Sequence, residues 1–293
     1  MSNVFSNFMS EQRKQKIKFF FEKQKKELIK NKNIVLQLVK RNIKVQYRNS
    51  AIGILWTVLN PLLNMLVMYF VFSTIFGYDD PTYSLYLLCG NIVFNTMRAA
   101  TTQSLTSLVG NRGLLTKNKI AYAVFPLSCN LSAIVNFAFS FIALVGVMVV
   151  VALAYNVRVF SVNMFMTLVM IPALFLFCFG ISLFLSALYV FFRDIMHFYN
   201  VFLTLWMYLT PIFYKTDKLG TGFKDMFILS VIKLNPMYHY IEYFRAIIYG
   251  CASGTMSFPS GMETLTLYLI GIITTVVGLL FFDFTKHRFI FNI

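Results

Sequence analysis

Acidic residues are scarce: the 293-residue chain has 11 Asp and Glu against 26 Lys and Arg, and only three histidines. His197, His239 and His287 fall on separate segments, so no metal-ligand spacing is present. Cys89, Cys129, Cys178 and Cys251 form no C-x-x-C pair, and three of them sit in apolar runs, which points to buried free thiols. No G-x-x-x-x-G-K-[ST] occurs; Gly110 and Gly113 precede Thr116 and Lys117 without the pattern, so the chain is not expected to bind ATP itself. A G-x-S-x-G elbow is also missing. The first thirty residues are too charged for the apolar region of a cleavable signal, so none is expected. These absences exclude most hydrolase, metalloenzyme and nucleotidase readings.

Apolar residues are what is abundant. They make up 58% of the chain, the mean hydropathy is +0.69, and charged residues amount to 13%. A soluble domain of this size cannot bury that much apolar surface, so the expected class is an all-α polytopic membrane protein. The net charge of +15 does not indicate nucleic acid, because residues 1–50 hold thirteen Lys and Arg and three acids, or +10 of the total. A basic block beside a first span is a topology signal and a contact to anionic lipid.

Residues 1–33 read as a basic cytoplasmic arm, and residues 34–293 as the membrane domain. Within 33–49, Lys40, Lys44 and Arg48 recur every four residues with Arg41 beside them, and Leu36, Val39, Ile43 and Tyr47 form an adjoining apolar stripe. Such a helix suits the inner headgroup layer, the alternative being a solvated basic helix against a partner. Residues 54–76 carry no charge and at about 1.5 Å per residue span the roughly 30 Å hydrocarbon core. Lys and Arg resist crossing, which keeps the preceding basic side in the cytoplasm.

Further spans are expected at about 82–108, 127–155, 162–192, 197–214 and 263–282, six in all, leaving both termini inside. The loop at 109–126 is basic and acid-free, although the outer loop at 215–262 also carries five Lys and Arg. The second span contains Asn91, Asn95, Arg98, Thr101, Thr102 and Gln103, so it must face other helices or water. Arg98 lies about sixteen residues in, roughly 24 Å along the axis, and either snorkels to the inner headgroups or lines a wet cavity. The outer loop holds two apolar stretches too short to cross, at 226–234 and 237–249, which read as a re-entrant pair or lid. Asn235 and Pro236 open the second and Gly250 is expected just past its end; Ser260-x-x-Glu263 caps the last span.

His239, Glu242 and Arg245 lie three apart on one helix face. They fit either a membrane-surface acid/base site or an ion pair with a lid histidine; the second is favoured, as no nucleophile or second carboxylate is near in sequence. Trp56, Tyr69 and Phe72 on the first span, and Trp206 and Tyr208 on the fifth, are candidates for stacking against sugar rings, against a background of ordinary helix packing and interface belts.

The stretch Val45-Gln46-Tyr47-Arg48-Asn49-Ser50-Ala51-Ile52-Gly53-Ile54-Leu55-Trp56 resembles the Y-R-x-S-x-L-G-x-L-W motif of ABC-2 type permeases that export lipid-linked polysaccharides, such as O-antigen, capsule and teichoic-acid transporters. Ile52 replaces the usual leucine. Leu59-Asn60-Pro61-Leu62, Phe192-Arg193-Asp194-Ile195, Leu209-Thr210-Pro211-Ile212-Phe213-Tyr214 and Asn235-Pro236-Met237 through Glu242 and Arg245 are similar in order and spacing, so that the resemblance covers about 34–290. It implies a homodimer of six-helix subunits in the cytoplasmic membrane, bound to two ATPase subunits that hold the ATP and Mg, with no cofactor, metal or catalytic residue on this chain. It implies an interface helix at 34–49, two outer re-entrant helices, and a coupling helix at about 110–122 seating Arg112, Leu114, Leu115, Lys117 and Lys119 in an ATPase groove. The lipid-linked glycan's phosphate would favour the basic rim at Lys40, Lys44 and Arg48. An ABC-2 exporter of a small drug or lipid is the alternative, and further off a transferase acting through His239 and Glu242.

Overall fold

The computed structural model describes residues 30–46, 48, 52–76, 82–117, 120–214, 223–254 and 258–289. Residues 1–29, Tyr47, Lys119 and the side chain of Phe72 lie outside the described residues. Among the described residues there are eleven α-helices and no strand. In chain order they are α1 (Lys32–Gln46), α2 (Trp56–Phe76), α3 (Tyr83–Leu105), α4 (Ser107–Gly110), α5 (Arg112–Lys117), α6 (Val124–Tyr155), α7 (Met166–Phe191), α8 (Ile195–Leu209), α9 (Phe223–Leu234), α10 (Pro236–Ala252) and α11 (Gly261–Thr285).

The polar helix α3 is the axis. It packs against α6, α7, α10 and α2, and its residues from Tyr83 to Leu105 are mostly buried. Its hydroxyls turn inward onto its own backbone: Thr96 donates to the Ile92 carbonyl at 2.8 Å and Thr101 to that of Met97 at 2.8 Å. Tyr199 of α8 donates to Thr101 Oγ1 at 2.7 Å, and Ser182 of α7 to the Ala100 carbonyl at 3.4 Å. This satisfies polar atoms that lipid could not.

The closest helix pair is α7 with α11. Gly180, Gly278 and Thr274 let the two backbones touch; a Cβ on Gly180 would overlap the Thr274 carbonyl, and one on Gly278 the Gly180 carbonyl. Small residues allow this approach, and the hydrogen bonds across it, from Thr275 to the Leu176 carbonyl (2.7 Å) and from Tyr268 to that of Val169 (2.9 Å), hold the register.

Among the described residues three segments are long and apolar enough to cross a membrane: Val124–Tyr155, Val162–Phe191 and Gly261–Arg288. Helix α6 has 32 residues and ends where Asn156 takes a left-handed conformation, φ 56°. Helix α8 has 15 residues, or about 22 Å, and stops at Leu209 because Thr210 is held extended before Pro211.

Local signals in the sequence are met closely at two helix starts. Asn235 accepts from the Met237 amide at 3.0 Å. Ser260 and Glu263 form both bonds of a capping box, at 3.2 and 2.9 Å. Two expectations shift. Helix α10 runs through the buried Gly250 to Ala252, and the glycine with left-handed backbone behind it is Gly254, φ 75°. On α1 the buried side chains are Val35, Leu38 and Val39, while Leu36 is 57% exposed. Packing against α6 adds Val35 and Leu38 to the buried side, where Val39 and the partly buried Ile43 lie as expected, so that Leu36 is the described member of the stripe that turns out.

Candidate transport path and coupling surface

Basic residues gather at one end. There α1, α4, the start of α6, the end of α7 and Phe289 share one apolar cluster, with Leu108, Val124 and Phe289 fully buried. Lys40, Arg41, Lys44 and Arg48 are exposed around it. Arg41 Nη2 donates to Asn111 Oδ1 at 2.7 Å, and Asn111 Nδ2 to the Ser107 carbonyl at 2.7 Å. Helix α1 is thereby tied to the turn that opens α5. No residue of α5 is buried. Leu115 rests against the cluster, and Leu114 is exposed between Arg112 and Lys117. An apolar tip flanked by cations is suited to a groove with acidic edges on another protein.

Halfway along the molecule a cavity of about 420 Å³ opens between α1, α2, α3 and α6. Its walls carry six amides: Gln46, Asn60, Asn64, Asn91, Asn95 and Asn136, with Thr57, Thr96, Ser140 and the ring of Trp56. Asn95 Nδ2 donates to Asn91 Oδ1 at 2.7 Å, and Asn136 Nδ2 to Gln46 Oε1 at 3.0 Å. Asn136 Oδ1 is buried with no hydrogen-bond partner among the described residues. Among the described residues no ionisable side chain lines the cavity; Arg98 is half-buried on α3 and is not part of its wall.

At the far end Arg245 of α10 is 2% exposed and fully engaged. Nη1 donates to the Pro211 carbonyl at 2.7 Å and pairs with Glu242 Oε1 at 2.9 Å; Nη2 donates to the Ile212 carbonyl at 2.9 Å, and Nε to that of Tyr86 at 3.4 Å. The guanidinium also lies 3.5 Å above the Tyr86 ring. Its planar fork thus fixes the loop after α8 onto α3 and α10. Asn235 completes the joint, accepting from Trp206 Nε1 at 2.7 Å and donating to Thr210 Oγ1 at 2.7 Å. His239 Nε2 meets the Lys233 carbonyl at 2.9 Å. Glu242, His239 and Arg245 are each committed to these structural contacts.

The sequence profile of ABC-2 type transporters matches residues 34–249. The chain belongs to the ABC-2 type transporter family. Among its relatives, an O-antigen export system permease protein RfbA of Klebsiella pneumoniae is 29% identical over 267 residues, covering 88% of this chain and 93% of its own length. The RfbA permease of Myxococcus xanthus is 29% identical over 225 residues, 76% of this chain and 83% of its own.

In this ABC-2 chain the aromatic candidates fall in different settings. Trp56 is half-buried at the cavity, and Tyr69 half-buried on α2. Trp206 is packed edge-on against Phe94 and Phe177. Tyr208 is 65% exposed on α8, beside Val201 and Leu205, and Phe70 is 73% exposed on α2. The amide cavity and the Arg245 fork were not assembled from sequence. The signal for the first was there, since Asn60 with Asn64 and Asn91 with Asn95 each recur at helical spacing; what no pattern gives is that the two pairs share a cavity with Gln46 and Asn136.

Proposed function

We propose that this ABC-2 protein is the permease subunit of an exporter that moves a lipid-linked polysaccharide across the cytoplasmic membrane, working as a homodimer with two copies of a separate ABC ATPase. The observation that carries this reading is the likeness to O-antigen export permeases over 88% of the chain. The uncharged, amide-walled interior supports it, since such walls suit a hydroxyl-rich polymer better than an ionic or greasy cargo. In this reading α2, α3, α6, α7 and α11 cross the bilayer, as does α8 together with the turn that continues it to Tyr214; both termini are cytoplasmic, and α9 and α10, joined through Asn235, re-enter from outside. ATP and Mg stay on the partner; this chain contributes no catalytic or metal-binding residue.

Exposed Leu114, flanked by Arg112 and Lys117 and followed by Leu115, would seat in the ATPase. Closure of the two ATPases would then pull on α5, and the Arg41–Asn111 bond would carry the displacement to α1 and α2. Lys40, Lys44 and Arg48 would attract the phosphate of the lipid carrier. Exposed aromatic and aliphatic residues on α2 and α8, including Tyr208, would face a second copy of the chain and the glycan between them. The test is co-purification with the ATPase: Leu114→Glu combined with Lys117→Glu abolishes assembly or glycan-coupled ATP hydrolysis. Unchanged coupling rejects the placement of that helix, and normal surface glycan after deletion of the chain rejects the function.

A further inference from the structure

We infer that the amide-lined cavity between α2, α3 and α6 is a binding subsite for uncharged sugar residues within a single subunit. The proposal rests on the reading of this chain as a polysaccharide permease, and it assigns the sugar-binding groups. The cavity lies at mid-depth: Asn64 is eight residues along α2 from Trp56, and Asn136 twelve along α6 from Val124, about 12 and 18 Å from those helix starts. Amides at that depth need hydrogen-bonding company. The pairs Asn91–Asn95 and Asn136–Gln46 satisfy part of this, while Asn136 Oδ1 is buried with no partner among the described residues.

A sugar hydroxyl both donates and accepts, and each amide offers a carbonyl and two N–H groups, so the two are complementary without charge. The cavity's volume of about 420 Å³ falls in the usual range of small-molecule sites, roughly 300–1,000 Å³. Trp56 adds an aromatic ring to the wall at the start of α2, where the lipid-borne end of the glycan would enter. With no cation or carboxylate among the described residues of the walls, contacts are individually weak, as passage requires: a cargo in transit must be able to leave.

The test uses the full chain with its ATPase in living cells. A benzoylphenylalanine photoprobe replaces Asn64, exposed at the cavity mouth; if that lowers the amount of chain in the membrane, Asn60 takes its place. After irradiation the chain is expected to carry an adduct that stains for carbohydrate and disappears when glycan synthesis is shut off. Asn136→Leu, on the opposite wall, should lower its yield about two- to tenfold, the effect of one uncharged hydrogen bond. That dependence separates binding in the cavity from glycan sliding past another side of α2. The same probe at Ile273, on the outer face of α11, should give no carbohydrate adduct. Probes at Asn64 or Asn60 that capture no carbohydrate while surface glycan is delivered normally overturn the subsite and leave the permease reading intact, as does a yield indifferent to Asn136→Leu. Surface glycan that is unaffected by loss of the chain overturns the permease reading itself.

Discussion

Arg245 shows how one side chain can fix a loop. Its donors meet three backbone carbonyls and one carboxylate, and Gly90 leaves the space it occupies: a Cβ there would lie 2.9 Å from Arg245 Nη2 and 3.2 Å from Ile212 Cγ2. Arg245→Met should therefore lower the stability of the purified exporter by at least about 1–3 kcal/mol, because it takes this donor from the Pro211, Ile212 and Tyr86 carbonyls, while the partly exposed Glu242 carboxylate can turn to water. Arg245→Lys should recover only part, because an ammonium has no planar fork. Gly90→Ala should act in the same direction by a smaller amount. Thermal unfolding in detergent is the measurement, and an unchanged midpoint in Arg245→Met would remove the clamp. The sequence made the Glu242–Arg245 pair visible through its i, i+3 spacing. It could not show that Pro211 and Ile212, more than thirty residues away, present their carbonyls to the same guanidinium.

At the scale of elements, the interlock of α7 and α11 is the least forgiving. Gly180→Val places methyl groups against backbone, which cannot shift as a side chain can. Overpacking costs about 1–3 kcal/mol in an ordinary core, and a blocked backbone contact belongs at or above the top of that range. Little monodisperse protein is expected on fluorescence-detected size exclusion, whereas Gly146→Val, with nothing within 4 Å of its Cβ, should elute as the parent does. Equal profiles for the two variants would refute this. Two helix starts were the most legible features, because N-caps are local: Asn235–Pro236 and Ser260–Glu263 each need only neighbouring residues. Which face of α1 is buried was less legible. Leu36 and Val35 are equally apolar, and only the position of α6 decides that Val35 turns in.

For the whole molecule, the cations at the α1, α5 and Lys286–Arg288 end lie around one cluster, and the proposed topology puts that end in the cytoplasm. Reporter fusions at both termini should then give the cytoplasmic signal, and one inserted within 215–222 the exterior signal; a split between the termini would break the six-crossing arrangement. Membrane class, helical content, the polar character of α3 and the family were all determined by the sequence alone, since hydropathy, periodicity and short motifs are properties of neighbouring residues. Tertiary structure decided the rest: the meeting of Asn60, Asn64, Asn91, Asn95, Asn136 and Gln46 around one cavity, the bond from Arg41 to Asn111, and the Arg245 fork. Each joins residues about thirty or more positions apart, and such contacts depend on how helices cross, which one helix's own pattern does not specify.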